Sequence, residues 1–273
     1  MSLAIGRISY VNVVPYFHHL AQAGFAGRVI EGVPSELNRR LAAGELDLSP
    51  SSSFEYARQW RNYLLLPGHS ISSCGPVHSV LLFCQCALND VANVPIAVTG
   101  ESATSVNLLK VLLMEFCGAQ KVHCEVPEGS VEEVVARGGS ALLIGDRALR
   151  LSQGMGRSGD IYDLGDLWQR FTGMPFVFAL WIVRQASYLA QRESVLDFCR
   201  QLDASLQLAF ADLEGMAADI APDGPLGEKQ LVEYWRTVSY TLTPEHIAGL
   251  NRFFSLCHKH GLLAEEPELR FIG

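Results

Sequence analysis

The chain has 273 residues, 49% of them hydrophobic, so it can bury a substantial core as one large or two small domains. Its formal net charge is -8. An acidic chain without clustered Lys and Arg is a poor partner for nucleic acid, because such binding displaces counterions with basic side chains. The longest apolar run, Phe176–Val183, is far shorter than the roughly 20 residues that a membrane-spanning helix needs. We therefore expect neither a nucleic-acid nor a membrane partner.

The start of the chain and its cysteines predict a cytoplasmic protein. The first seven residues, MSLAIGR, lack the charged segment, long apolar segment and small-residue cleavage site of a secretory signal. The seven cysteines include no CxxC pair, and Cys84 and Cys86 alternate along an apolar run as small buried residues do. Both features fit a reducing compartment.

The first part of the chain alternates between strand and helix patterns. The predicted elements are a strand at 4–10, a helix at 16–23, a strand at 29–33, a helix from Pro34 that ends before Gly44, a strand at 46–48 and a helix from about Phe54. Ser49–Ser53 is predicted to be a hydroxyl-rich turn that caps the last of these helices.

A similar order returns in the middle of the chain. The predicted elements are a strand at 95–99, a polar loop at 100–105, a helix at 106–117, a helix at 131–137 and a strand at 141–144 that ends at Gly145 and Asp146. The chain therefore contains two halves with a β-α-β pattern.

Two apolar β-type runs, 79–86 and 175–184, can carry the chain out to a second lobe and back. The last third is predicted to be helical at 194–213, 228–238 and 243–260. We therefore predict an α/β protein with residues 1–86 and 176–273 in one discontinuous lobe and 87–175 in the other. The cleft between two such lobes is the expected ligand site.

The loops after the predicted strands carry the candidate binding residues. Ser102, Thr104 and Ser105 offer hydroxyl donors at a helix start, where free backbone N–H groups favour an anion such as a carboxylate. Ordinary helix capping is the alternative for these residues, and the same alternative applies to Ser51. Asn12 follows a strand, where an Asx turn is a common structural role.

Two further motifs are set aside. Residues 154–159 match GxGxxG, but the run follows polar residues and leads into a β-type segment, so it predicts a flexible loop. Cys257, His258 and His260 cluster in sequence, but such positions on a helix point in different directions, so a metal site is not expected.

Several runs of the sequence, in this order, resemble the family of menaquinone-biosynthesis enzymes of the futalosine pathway. They are GRISYVNVVP at 6–15, GVPSELN at 32–38, LDLSPSS at 46–52, EY at 55–56, GPVHSV at 75–80, SATS at 102–105, IGD at 144–146, DLG at 163–165 and TGMPFV at 172–177. The resemblance covers most of the chain.

The resemblance implies a fold similar to type II periplasmic solute-binding proteins. Of the two close enzyme types in the family, the opening ISYVN at 8–12 resembles the dehydratase of chorismate, a lyase that makes 3-[(1-carboxyvinyl)oxy]benzoate. The other type cleaves cyclic dehypoxanthine futalosine to dihydroxynaphthoate and stays an alternative. A binding protein without chemistry is a further alternative, because the fold would accommodate it equally. No cofactor or metal is implied by a dehydration, and the oligomeric state stays open.

By the same resemblance, Asn12 and Ser79 are expected to orient or polarise the reacting centre. The expected substrate-binding set is Ser51, Ser102, Thr104, Ser105 and Asp146. Neither Asn nor an unactivated Ser is a competent base near neutral pH, so we expect the enolpyruvyl carboxylate of the substrate to take the proton. Three side chains are alternative bases. They are Glu101, Asp146 and His78.

Overall fold

The structure is a computed structural model that describes residues 2–154 and 160–273. The chain divides into two compact units. The first unit comprises Met1–Ile71, Ala179–Leu242 and Pro267–Gly273, and the second comprises Ser72–Phe178 and Thr243–Glu266. Most of the GxGxxG run, residues 155–159, lies outside the described residues, so the loop predicted there stays a prediction.

The described elements alternate in type along most of the chain. The strands are β1 (Ala4–Ile8), β2 (Arg28–Gly32), β3 (Leu48–Ser52), β4 (Tyr63–Ser73), β5 (Val80–Cys84), β6 (Ile96–Val98), β7 (Cys124–Glu125), β8 (Ser140–Ile144), β9 (Asp160–Asp163), β10 (Phe176–Arg184) and β11 (Ser239–Leu242). The helices are α1 (Val14–Phe17), α2 (Pro34–Ala43), α3 (Ser53–Gln59), α4 (Ala103–Val111), α5 (Val131–Ala136), α6 (Gly145–Gly154), α7 (Leu164–Thr172), α8 (Gln185–Ala190), α9 (Arg192–Ala211), α10 (Leu213–Ile220), α11 (Glu228–Thr237) and α12 (Pro244–Lys259).

The sheet of the first unit has the strand order β11-β4-β10-β3-β1-β2. β1 runs parallel to β2 and β3, and β10 runs antiparallel to β3. The carboxyl ends of β1 and β3 therefore meet at one edge of the sheet, which places the segments that follow Ile8 and Ser52 side by side.

Aromatic side chains fill the core of the first unit. Trp181 of β10 is fully buried and lies edge-on to Tyr16, with 5.4 Å between the ring centroids. The Tyr16 hydroxyl lies 3.1 Å from the carbonyl oxygen of Ser70 and 2.7 Å from that of Tyr240. Each buried aromatic side chain of this size contributes on the order of 2 kcal/mol. This core ties the segment after β1 to β4, β10 and β11.

The sheet of the second unit has the order β7-β6-β8-β5-β9. β6 runs parallel to β7 and β8, whereas β5 runs antiparallel to β8 and β9. Buried residues of the sheet pack against α5 and α6; they are Leu81, Phe83, Ala97, Ala141 and Leu143 on the strands and Val131, Val135 and Ala148 on the helices. Because β9 opposes β5, it runs in the same direction as β6 and β8. The carboxyl ends of β6, β8 and β9 therefore share one edge.

The observed units differ from the predicted lobes over residues 72–86, 176–178 and 243–266. The prediction places strand β5 in the first lobe. The strand pairs antiparallel with β8, with Val80 opposite Ile144, and so belongs to the second unit. Helix α12 was placed in the first lobe as well, yet it also belongs to the second unit. Gly249 permits this packing, because a Cβ at that position would lie 2.1 Å from the Pro175 carbonyl oxygen.

Local predictions also failed where hydroxyl residues or polar runs hid regular structure. Ser49–Ser52 is strand β3 rather than a turn, because it pairs along its length with the apolar strand β10. Only Ser52 acts as the predicted cap, accepting a hydrogen bond from the Glu55 N–H at 3.2 Å. Strand β4 and helix α6 were not predicted.

Candidate functional site

Asn12 lies at the carboxyl edge of the first unit's sheet, in a short 3-10 helix (Val11–Val13) between β1 and α1. Two side chains hold its backbone: Trp235 Nε1 donates to the Val11 carbonyl and Tyr240 Oη donates to the Asn12 carbonyl, each at 2.8 Å. The Asn12 Oδ1 atom is buried and has no hydrogen-bond partner among the described residues. A fixed backbone with an unsatisfied buried amide oxygen is a costly arrangement that a bound ligand would relieve.

Ser51 lies one residue from the end of β3, the strand next to β1. It is fully buried, and its Oγ has no partner within the described part of the chain. The neighbouring hydroxyls are used, since Ser49 Oγ donates to the Pro50 carbonyl at 3.0 Å and Ser52 Oγ caps α3. Among the three, Ser51 thus has the hydroxyl that is left for a ligand at this edge.

Three helices of the second unit begin at one sheet edge, where β6, β8 and β9 end. They are α4, α6 and α7. The first N–H groups of each helix lack partners within the helix, and the helix dipole adds partial positive charge there. This edge therefore favours a negatively charged group and needs no buried cation to do so.

Ser102, Thr104 and Ser105 lie together at the start of α4. Ser102 Oγ accepts from the Ser105 N–H at 3.2 Å and donates to Ser105 Oγ at 3.0 Å, so Ser102 is an N-cap. Thr104 and Ser105 are almost completely buried. The alternative interpretation of this run, helix capping, therefore holds for the Ser102 side chain.

Ser79 and Asp146 meet at the same edge, at the start of β5 and in the first turn of α6. The Gly145 N–H donates to the Ser79 carbonyl at 2.7 Å, which fixes the backbone of one against the other. Ser79 is buried and Asp146 is half-buried. Topology thus brings Ser79, Asp146 and the α4 start to one edge of one sheet.

The carboxylate of Asp163 was not predicted as a site residue, but it holds the turn that leads to Ser79. Its Oδ1 accepts from the N–H groups of Gly165 and Asp166, which caps α7. Its Oδ2 accepts from the N–H groups of Val77 and His78, at 3.0 and 2.6 Å, and the Val77 N–H also lies 3.1 Å from Oδ1. Burial raises the pKa of Asp163, while these four N–H donors oppose that rise.

His78 has a φ of 62°, a left-handed conformation that side chains other than glycine rarely adopt. The Asp163 hydrogen bonds hold it there. No signal in the sequence other than the DLG run at 163–165 pointed to this clamp, because the residues it joins are more than 80 positions apart.

Glu101, a candidate base, is part of an ion-pair network. Arg147 lies 3.3 Å from Glu101 Oε1 and also forms two hydrogen bonds with Glu132. The hydrogen bond from Arg147 lowers the pKa of Glu132. Glu101 would have to give up its ion pair with Arg147 to reach a substrate proton, so this arrangement argues against Glu101 as the proton acceptor.

The family model for menaquinone biosynthesis matches residues 3–259 of the chain. The chain belongs to this menaquinone biosynthesis family. A chorismate dehydratase from Thermus thermophilus is 42% identical over 195 residues, which cover 66% of this chain and 69% of that protein.

The fold of this family member is that of periplasmic binding proteins. The alkanesulfonate-binding protein of Xanthomonas axonopodis pv. citri matches with a TM-score of 0.74 and 15% identity, over 97% of this chain and 95% of that one. The periplasmic aliphatic sulphonate binding protein of Escherichia coli matches with a TM-score of 0.69 and 14% identity, over 100% and 92%. The predicted α/β fold class is thereby confirmed.

Within the described residues, this family member has no group of three His, Cys, Asp or Glu side chains placed to hold a metal ion. None of its helices in residues 2–154 and 160–273 combines the length and apolarity of a membrane span. Of the seven predicted site residues, the sheet edge of the second unit gathers five and the first unit holds two. The five are Ser79, Ser102, Thr104, Ser105 and Asp146, and the two are Asn12 and Ser51.

Proposed function

We propose that this family member is a chorismate dehydratase, a lyase that converts chorismate to 3-[(1-carboxyvinyl)oxy]benzoate and water. The 42% identity to the Thermus thermophilus chorismate dehydratase is the observation that carries the proposal. We place the reaction in the futalosine route to menaquinone and in the cytoplasm, as the sequence resemblance implies.

The reaction removes the ring hydroxyl and the hydrogen on the neighbouring carbon, which bears the enolpyruvyl ether. The C–H electrons enter the ring as the C–O bond breaks, and hydroxide leaves with a proton as water. The ring becomes aromatic and no electrons enter or leave the substrate. The protein must therefore hold two carboxylates, place a proton acceptor and assist the departing hydroxide.

The α4 start supports a binding role for one substrate carboxylate. Thr104 and Ser105 are buried in the first turn of α4, and Ser102 fixes that turn by capping it. Asp146, in the first turn of α6, would contact a hydroxyl of the substrate rather than a carboxylate, because two carboxylates repel each other.

Asn12 and Ser79 act on the reacting centre in this proposal, and Ser51 binds the substrate. The unsatisfied Asn12 Oδ1 and Ser51 Oγ support these roles, since both are buried acceptors whose desolvation a substrate hydroxyl would offset. Asn12 orients the substrate and does not take the proton, because an amide is not a base at neutral pH. The enolpyruvyl carboxylate of the substrate takes it.

Incubation of the purified protein with chorismate tests the proposal. We expect an aromatic ultraviolet spectrum and a product lighter by one water. Unchanged chorismate together with conversion of cyclic dehypoxanthine futalosine to dihydroxynaphthoate would identify the other enzyme type of the family. Binding of chorismate without conversion of either compound would identify a binding protein.

Substitutions at the site test the assignment of roles. Asn12→Ala and Ser79→Ala are expected to lower kcat by about a hundredfold or more while chorismate still binds. His78→Gly, which keeps the left-handed backbone without strain, should retain most of the turnover. Loss of turnover with intact binding in His78→Gly would show that the imidazole is the base and that the substrate carboxylate is not.

A further inference from the structure

A cavity of about 340 Å³ lies on the first unit, away from the seven predicted site residues. It is lined by the end of α2, the segment from α3 to the start of β4, and the start of α8. Its volume falls at the lower end of the range for small-molecule sites in proteins. No role of the proposed dehydratase uses it.

The Arg184 guanidinium is the charged group of this cavity. It is half-buried and has neither an ion pair nor a side-chain hydrogen bond within the described residues. It lies flat against Gly44, where a Cβ atom would sit 3.0 Å from three of the guanidinium atoms. The carbonyl groups of Arg40 and Leu41 at this helix end already accept from backbone N–H groups. The Arg40 and Leu41 carbonyl groups therefore do not need the N–H donors of Arg184.

A second guanidinium orients an amide toward the same cavity. Arg270 Nη2 donates to Gln185 Oε1 at 3.0 Å, which leaves the NH₂ group of Gln185 as a donor. Arg270 Nη1 donates to the Arg61 carbonyl at 2.8 Å, and Arg270 has no carboxylate partner in residues 2–154 and 160–273. Arg184 and the Gln185 amide that Arg270 holds are thus neighbouring donors in the cavity lining.

The carboxylate of Glu55 is engaged by residues of the cavity wall. Glu55 accepts hydrogen bonds from Arg58 and Gln59 at 3.0 Å and from Tyr63 at 3.4 Å. Gln59 and Tyr63 line the cavity and donate to Glu55, so the hydrogen bonds of its carboxylate are made to residues of the cavity wall. Glu55 is therefore not available as a partner for Arg184.

The cavity also has an apolar wall. Leu189 lines it and is 74% exposed, beside the methyl groups of Ala42 and Ala186. A large apolar side chain so exposed beside an unpaired guanidinium matches a ligand with both an acidic group and an apolar body.

We propose that this cavity is a second ligand site, which binds a small organic carboxylate through Arg184 and Gln185 and covers Leu189 with the apolar part of that ligand. The guanidinium and the amide donate to the carboxylate oxygens, and Asn62 at the rim adds an amide. The site is independent of the proposed dehydration and does not rest on it.

Titration with benzoate, followed by the ¹H–¹⁵N NMR signals of Arg184 Nε, Gln185 and Ala186, tests the proposal. Because the signals report these residues, benzoate bound elsewhere on the protein does not interfere. We expect saturable shifts with a dissociation constant in the millimolar range or tighter. Arg184→Gln should weaken binding about tenfold or more, whereas Arg200→Gln, on an exposed arginine paired with Asp197, should leave it unchanged.

Two further comparisons test the acidic group and the apolar part of the ligand separately: inorganic phosphate in place of benzoate, and the Leu189→Ser variant in place of the wild type. Benzoate should bind more tightly than phosphate, and Leu189→Ser should weaken benzoate several-fold without changing phosphate. Phosphate that binds as tightly as benzoate would overturn the assignment of an organic carboxylate. Shifts that do not saturate, or that are equal in the wild type and Arg184→Gln, would overturn the site itself.

Discussion

Replacing Asp163 by Asn separates two tasks that its carboxylate performs. The amide oxygen of Asn can still accept from Gly165 and Asp166 and cap α7, as Oδ1 does in the structure. The amide NH₂ group, however, would face the N–H groups of Val77 and His78 in place of Oδ2. Two donors then oppose each other, and the turn before Ser79 loses its anchor.

The magnitude follows from the hydrogen bonds to Oδ2 that are lost. The Val77 N–H also lies 3.1 Å from Oδ1 and keeps that acceptor, but the charge-assisted hydrogen bond from His78 is lost and the new NH₂ group opposes both N–H groups, which together cost about 1 to 3 kcal/mol. We expect Asp163→Asn to lower the free energy of unfolding by about 2 kcal/mol, measured by urea titration. Turnover of chorismate should fall about tenfold or more, because a displaced Ser79 no longer meets the reacting centre.

Asp212→Asn is the matched control. Asp212 also caps a helix, α10, by accepting from the Gly215 N–H at 2.9 Å, but it holds no distant loop. Asn is as good an N-cap as Asp, so this variant should unfold within about 0.5 kcal/mol of the wild type and keep full turnover. If Asp163→Asn matches the wild type in both unfolding and turnover, the clamp has no role and the reasoning is wrong.

Three further predictions concern the rest of the chain. Asn12→Asp places a charge where a buried, unsatisfied amide oxygen now lies, so chorismate affinity should fall about tenfold or more, measured by calorimetry at neutral pH. Burial raises the pKa of Glu55 above its ordinary value of 4.5, so the folded state holds its proton to higher pH and the free energy of unfolding falls as pH rises through that pKa. Glu55→Gln should lose this contribution and keep the smaller fall that the raised pKa of Asp163 adds, whereas the exposed Glu233→Gln should keep both, measured by urea unfolding from pH 4 to 8; an unchanged profile in Glu55→Gln would refute the prediction. Gly249→Ala drives a Cβ into the Pro175 carbonyl and should destabilise by about 3 kcal/mol, whereas Gly154→Ala, with no atom of the described residues within 4 Å of the added Cβ, should stay within about 1 kcal/mol.

Periodicity predicted most of the helices and strands because burial imposes it. Helix α12 was predicted from its apolar spacing and from Pro244 at its start, and it spans Pro244–Lys259. Strand β10 was predicted from its continuous apolar run, which fits a strand buried on both faces. The serines of β3 carry no such signal, because their burial comes from pairing with β10, a strand more than 120 residues later. Small hydroxyl residues can be buried in a strand when such a partner strand exists, but the residues themselves give no sequence signal that predicts this burial.

The predicted lobes differ from the compact units for a related reason. Apolar runs indicate that a segment is buried, but they do not indicate which sheet it enters. The run at 79–86 joined β8 and β9 because its antiparallel pairing with both fills the middle of the second sheet. Helix α12 packs in the second unit at Gly249, where the absence of a side chain lets the helix backbone approach the Pro175 carbonyl. This contact leaves no apolar signal in the sequence.

Different residues of the candidate site are found by different kinds of evidence. Hydroxyls at a helix start, such as Ser102 and Ser105, can be read from sequence because capping is local. The resemblance supplied Asn12 and Ser79, and the structure adds for Asn12 an unsatisfied buried oxygen that motivates its role independently. Asp163 could be found only from the structure, because its four N–H donors come from two segments that the fold brings together. A reaction that needs no strong protein base depends on the placement of its groups, and placement is the property that such long-range clamps provide.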